Sequence, residues 1–222
     1  MSTLPKFDSF EGLTVYKIGN ERRDMLDRLR SRLASRLADV GKAFSRVSPV
    51  PTVWTLVGLA AMGLSGLSYA GRYHPELLGG LLILLSGWFD IVDGAVARVT
   101  GRTTDRGAFL DSNLDRVGEV AVFAGILVGG HANPLATLLA LSASLLVSYS
   151  RAKGDSLGVS LRGIGIGERS ERLLILAVLS IVGEAWWGVA LVALVASATF
   201  IERAVRGAMQ LRPGGERPPY LK

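Results

Sequence analysis

Apolar runs such as LLGGLLILLSGW and VAVFAGILVGG recur along this chain at a density that no soluble fold requires. A run of about 17–22 apolar residues, wound as a helix, matches the hydrocarbon thickness of a bilayer. In lipid, only a helix or a closed barrel satisfies its own backbone polar groups. The runs predict an all-α integral membrane protein with six transmembrane helices, at about 52–71, 76–99, 107–130, 134–152, 170–187 and 188–207. The fifth is the weakest, because Gly183 and Glu184 interrupt it before Trp186 and Trp187, a pair suited to an interfacial aromatic belt.

Charge supports this reading and orients it. The 222 residues are 49% hydrophobic, yet the isoelectric point is near 10.0 with a mean hydropathy of +0.36. That combination fits a polytopic protein with basic loops and argues against a nucleic-acid binder. With six spans, both termini and the even-numbered connections share one side. Of the 25 Lys and Arg residues, 24 fall there and only Arg72 lies opposite. The positive-inside rule makes that side cytoplasmic, in a multi-pass protein of the cell membrane. Cysteine is absent, which excludes disulfide and thiol chemistry. The polar N-terminus lacks the basic, apolar and small-residue order of a removable signal peptide.

Three segments result. Residues 1–50 form a cytoplasmic N-terminal segment, 51–207 the membrane domain and 208–222 a cytoplasmic tail ending in the proline-rich RPGGERPPYLK. From Glu21 to about Ser45, Leu26, Leu29, Leu33, Leu37, Val40 and Phe44 recur at spacings of three and four, with arginines on the other faces. This predicts an amphipathic helix lying on an anionic membrane surface ahead of the first span. GIGIG, at 163–167, resembles a nucleotide-binding glycine pattern, but no strand precedes it and it carries no weight. His74 and His131 fall in the outward loops and read as solvated.

Four carboxylates stand among the apolar runs, in FDIVDGAVARVTGRTTDRGAFLDSNLDRVGE. Asp90 and Asp93 are one helical turn apart, as are Asp111 and Asp115, so each pair shares a face. Ionisable groups at membrane depth are costly and usually mark function. Four acids converging without matching lysines call for a hard cation held by oxygen. Such an ion reverses the repulsion between carboxylates and a phosphorylated substrate. Gly94, Ala97 and Gly107 remove bulk where a nucleotide or helix can approach, and Arg98 offers a planar donor fork to phosphate.

The full spacing is Asp90-x2-Asp93-Gly94-x2-Ala97-Arg98-x8-Gly107-x3-Asp111-x3-Asp115, eight fixed positions within 26 residues. It resembles the signature of the CDP-alcohol phosphotransferases at all eight. The resemblance extends to the six-span layout and the amphipathic N-terminal helix. It implies a membrane enzyme that joins an alcohol to a CDP-activated lipid, releases CMP, uses Mg2+ or Mn2+ and forms a homodimer. By position it implies that Asp90, Asp93 and Asp111 are metal ligands and that Asp115 is the base toward the acceptor hydroxyl, touching the metal as well. It implies that Asp93, Gly94, Ala97, Arg98 and Gly107 bind the CDP or CMP moiety. The family's Pro-Asn-x-x-Thr element reads Pro51-Thr52-Val53-Trp54-Thr55 here, adding Thr52 and Thr55 to that set, with Thr52 in place of the asparagine.

Arg151 and Lys153 close the fourth span, and Arg169 and Arg172 open the fifth, on the cytoplasmic side beside the acids. Such a cluster suits an acceptor that carries its own phosphate. SYSRAK followed by GERSER resembles the inositol-phosphate-accepting members, archaeal and bacterial. The implied donor is then CDP-archaeol or CDP-diacylglycerol. A glycerophosphate-accepting member is the alternative within the family. A non-enzymatic cation channel is the alternative outside it, but a channel spreads its acids through the membrane depth, whereas these cluster at one end.

Overall fold

The computed structural model describes residues 34–211, which are helical with no strand among them. Helix α1 covers residues 34–45. Six more follow: α2 (Pro51–Ala70), α3 (Pro75–Thr100), α4 (Asp105–Gly129), α5 (Pro134–Ser156), α6 (Arg169–Ile181) and α7 (Ala185–Gln210). Local chemistry sets the boundaries. Pro51, Pro75 and Pro134 occupy first turns, where the missing N–H breaks no intrahelical bond. Thr104 caps α4 by accepting from the Gly107 N–H at 3.1 Å, and Asn133 caps α5 through the Leu135 and Ala136 N–H groups. At α6, Glu168 and Glu171 make a reciprocal capping box. Gly101 closes α3 in the left-handed region at φ 63°, and the Arg102 N–H returns to the Ala97 carbonyl at 2.9 Å.

Among the described residues, four helices are long and apolar enough to cross a membrane: α2, residues Pro75–Val99 of α3, α5 and α7. α4 has the length, at 25 residues, but its first half carries the charged part of the signature. α6 has 13 residues, a rise of about 20 Å against a hydrocarbon core of roughly 30 Å. The last two expected spans are therefore redrawn. α6 stops at Ile181, Gly183 turns the chain at φ 82°, and α7 starts at Ala185 with Trp186 and Trp187 in its first turn.

The expected amphipathic helix is present over residues 34–45, while its part from Glu21 through Leu33 lies outside the described residues, as does the tail from residue 212 on. The described part packs on the protein itself. Val40 and Phe44 join Trp54, Phe89, Val92 and Val96, with Phe44 edge-on to Trp54 at 4.9 Å and Trp54 stacked on Phe89 at 6.1 Å. This differs from a helix lying only on lipid, because α2 and α3 present aromatic surface next to the Pro49–Pro51 turn.

α2 packs on both α3 and α4, α3 on α6, and α7 on both α5 and α6. The α2–α4 crossing depends on two glycines. A Cβ at Gly125 would lie 2.0 Å from the Gly66 carbonyl oxygen, and one at Gly66 would lie 2.3 Å from the Ala121 carbonyl oxygen. Backbone rather than a movable side chain occupies that space, as at small-residue interfaces between membrane helices. Gly125→Ala is expected to destabilise the protein by more than the roughly 1–3 kcal/mol of ordinary overpacking, read as a lower melting temperature in detergent. A variant melting at the wild-type temperature would refute this crossing.

The interior holds Met62, Tyr69, Ile83, Ile126, Leu176 and Val189, and hydroxyls tie its helices together. Ser65 donates to the Gly79 carbonyl at 2.8 Å, and Tyr69 donates to Ser180 at 2.6 Å. His74 is exposed, but His131 is not merely solvated. Its Nε2 donates to the Tyr69 carbonyl at 2.9 Å and its Nδ1 meets Glu76 at 2.9 Å, joining the turns at the end opposite the acids. A part-buried imidazole turned toward the bundle takes hydrogen-bond partners there.

Candidate active site

α3 and α4 carry their acids to the same end of the bundle. Asp93 is buried, and Asp90, Asp111 and Asp115 are half-buried. Asp93 is oriented by Thr55, whose hydroxyl donates to it at 2.8 Å, so the last residue of the Pro51–Thr55 element reaches the first acidic pair. The four carboxylates bear on one another. Asp90 repels Asp93, Asp111 and Asp115, and Asp111 repels Asp93 and Asp115.

A cleft of about 180 Å³ opens beside Asp93 and Asp111. Thr52, Thr55, Gly94, Ala97 and Gly107 line it, so every residue expected to bind the nucleotide is gathered there except Arg98. Arg98 is exposed, and its guanidinium lies beside Gly94 without lining the cleft. Arg102, Thr103 and Thr104, from the turn between α3 and α4, line it instead. Their signal was their place between the two acidic pairs, a segment read only for its signature positions. A separate apolar cavity of about 470 Å³ lies between α3 and α6, lined by Ile83, Leu84, Trp88, Leu173 and Leu174 together with Asp90 and Arg169.

Arg169 connects the two helical acid pairs. Its guanidinium forms an ion pair with Asp90, reaches Asp115 Oδ1 at 3.0 Å, and places Nε 3.6 Å from Glu119. Arg172, grouped with it from the sequence, is placed differently. It is 2% exposed and donates to Glu119 at 2.9 Å and to the Gly167 carbonyl at 2.6 Å, so it is committed to the protein interior rather than open to a ligand. α6 turns one of its two first-turn arginines to the acids and the other into the core.

Arg151, at the end of α5, lies 3.5 Å from Glu168, and Lys153 is exposed nearby. Glu168 also accepts from Arg203, a fully buried arginine of α7 that donates to the Ile164 and Val147 carbonyls at 3.0 and 3.1 Å. The GIGIG segment is thereby fastened to α7 and stands apart from the cleft. Glu119 and Arg203 went unnoticed in the sequence. Glu119 continues the spacing of four from Asp111 through Asp115, which is a readable signal, whereas Arg203 stands with Glu202 and Arg206 at the charged end of the last run and is not singled out there.

The acids suit a divalent metal ion. The donor set is carboxylate oxygen throughout, in one electrostatically crowded place. Among the described residues no three of these acids are drawn around a single point. The guanidinium of Arg169 balances Asp90 and Asp115 instead.

The profile of the CDP-alcohol phosphatidyltransferase family matches residues 48–200, which contain the whole signature. The chain is 33% identical over 190 residues to the archaetidylinositol phosphate synthase of Pyrococcus horikoshii, spanning 86% of this chain and 100% of that protein. It is 43% identical over 159 residues to the archaetidylinositol phosphate synthase of Aeropyrum pernix, spanning 71% and 80%. Among solved structures it is similar to the phosphatidylinositol phosphate synthase of Mycobacterium tuberculosis with CDP-DAG bound, at a TM-score of 0.70 and 28% identity over 80% of this chain and 95% of that one. The same M. tuberculosis enzyme in complex with manganese and citrate matches with a TM-score of 0.70 and 28% identity over 80% of this chain and 90% of that one.

Proposed function

This chain belongs to the CDP-alcohol phosphatidyltransferase family, and from that premise we propose that it transfers the lipid-phosphate group of a CDP-linked lipid to a hydroxyl of inositol phosphate, releasing CMP. One observation carries the reading most. The signature acids of α3 and α4 lie at one end of the bundle, where Asp93 and Asp111 line the cleft, Asp90 lines the apolar cavity and Arg169 pairs with Asp90 and Asp115. A donor with a cytidine diphosphate head and apolar chains has that division of chemistry. CDP-archaeol and CDP-diacylglycerol share it.

Asp90, Asp93 and Asp111 are assigned as the ligands that would hold Mg2+ or Mn2+, with Asp115 as a further contact to the ion. Bound there, the divalent ion supplies positive charge to the donor diphosphate, which the carboxylates alone would repel. Thr55 holds Asp93 in place, and Thr52, Gly94, Ala97 and Gly107 shape the cleft for the cytidine and its phosphate, while Arg98 at the outer surface is left with a charge-attracting role. Asp115 takes the proton from the acceptor hydroxyl. The acceptor oxygen then forms a bond to the lipid-bearing phosphorus as the bond to CMP breaks. CMP leaves with the electron pair, and the proton remains on the base until water removes it.

Arg151, Lys153 and Arg169 are assigned to the acceptor's own phosphate, and Arg172 supports them from the core. The charge asymmetry of the sequence supports cytoplasmic termini, and a cell-membrane location is proposed with them. The domain limits proposed are 1–50, 51–207 and 208–222, and the family resemblance supports a homodimer. The reading is tested by offering the purified protein inositol phosphate, glycerol phosphate and serine together with a CDP-lipid and Mn2+. The inositol-containing lipid phosphate is the expected main product. Preference for glycerol phosphate or serine would overturn the acceptor assignment, and running CDP-archaeol and CDP-diacylglycerol in parallel identifies the donor.

A further inference from the structure

Glu119 lies outside the signature, yet it is the most deeply buried carboxylate beside the site, at 1% exposure. It stands on α4 four residues beyond Asp115, one turn deeper on the same stripe. Its Oε1 is shared by Arg172 at 2.9 Å and Arg169 at 3.6 Å. Its Oε2 is buried with no hydrogen-bond partner, as is Nε of Arg169. A buried, half-satisfied carboxylate is expensive, and ordinary packing would favour an apolar residue there.

Arg169 explains why a charge is useful at this depth. Its other partners, Asp90 and Asp115, are also the acids assigned to the divalent ion and to the acceptor proton. An ion or an acceptor that engages them weakens their hold on Arg169. Glu119 does not line the cleft and stands outside the acids assigned to the ion and the acceptor proton. We infer that Glu119 is a positioning residue that holds both α6 arginines, Arg169 and Arg172, so that Arg169 faces the phosphate of the acceptor while Asp90 and Asp115 are engaged in the reaction. This rests on the acceptor-phosphate role proposed for Arg169. Glu119 acts through the arginines and touches neither substrate.

The test uses the full-length protein in lipid nanodiscs and three variants: Glu119→Gln, Glu119→Asp, and the paired replacement Glu119→Leu with Arg172→Met. The Gln variant should raise the acceptor KM by about tenfold, the effect of losing one charge-assisted contact. The donor KM and Mn2+ affinity, the latter measured by calorimetry without turnover, should stay within about twofold of wild type, small against the tenfold step that marks a lost contact. The Asp variant should recover part of the acceptor KM. The paired variant leaves no unpaired buried charge and should restore the melting temperature, but not the acceptor KM. A paired variant with wild-type acceptor KM would make Glu119 purely structural and overturn the inference. So would equal losses in donor and Mn2+ affinity for the Gln variant. Wild-type protein in the same assays tests the acceptor reading separately. If it uses glycerol phosphate rather than inositol phosphate, that reading fails while the Glu119 test proceeds with the phosphate it does use.

Discussion

Asp115→Asn is expected to lower the rate of CMP release by about a thousandfold, within the 10²–10⁴ range that a positioned general base contributes. The amide matches the carboxylate in shape and can still accept from Arg169, which lies 3.0 Å from Oδ1. It has no basic oxygen to receive the acceptor proton. Mn2+ and CDP-lipid binding should survive, since Asp90, Asp93 and Asp111 remain. Single-turnover CMP release paired with Mn2+ calorimetry separates the outcomes. Near-wild-type turnover would remove Asp115 from the role of base, and loss of Mn2+ binding would make it a primary metal ligand.

The second large effect falls on Asp93. It faces the cleft together with Asp111, is buried, and is held by Thr55 at 2.8 Å. Disturbing a residue that orients a metal ligand commonly lowers affinity 10–100-fold, so Asp93→Asn, which removes the ligand itself, should weaken Mn2+ binding by more than about a hundredfold and abolish CMP release. Thr55→Val leaves the carboxylate and removes only its orienting hydroxyl, so a loss of about tenfold in Mn2+ affinity is expected. Equal effects from the two substitutions would mean that Thr55 has a role beyond orienting Asp93. Unchanged Mn2+ affinity in Asp93→Asn would remove it from the metal site.

Much of this site was legible because its geometry is local. Spacings of three and four fix which acids share a helical face, and the signature spans two helices joined by a short turn. Gly94, Ala97 and Gly107 reach one cleft for the same reason, and the packing of α2 on both helices brings Thr52 and Thr55 to it. What escaped depends on how helices rotate against one another. Arg169 and Arg172 are three residues apart and equivalent in sequence, yet α6 points one at the acids and buries the other on Glu119. Arg98 fits the signature but lies exposed, because α3 presents Gly94 and Ala97 to the cleft and ends at Gly101 soon after.

The remaining differences have similar physical causes. Apolar periodicity cannot say whether Val40 and Phe44 meet lipid or the aromatic cluster of Trp54 and Phe89. Hydropathy alone ran the fifth span through Gly183, where a positive φ divides α6 from α7. Glu119 was different. Its spacing from Asp115 was plain, but only burial and its two arginine neighbours give that spacing a meaning.

The most direct measurement of the central claim follows the phosphorus. Purified protein, CDP-lipid, inositol phosphate and diamagnetic Mg2+ are combined and observed by phosphorus NMR. The diphosphate signals of the donor should disappear as CMP and a lipid phosphodiester bearing the inositol phosphate form in equal amounts, and chelating the Mg2+ should stop both. Persistence of the diphosphate, or formation of CMP without the inositol-containing phosphodiester, would contradict the assignment.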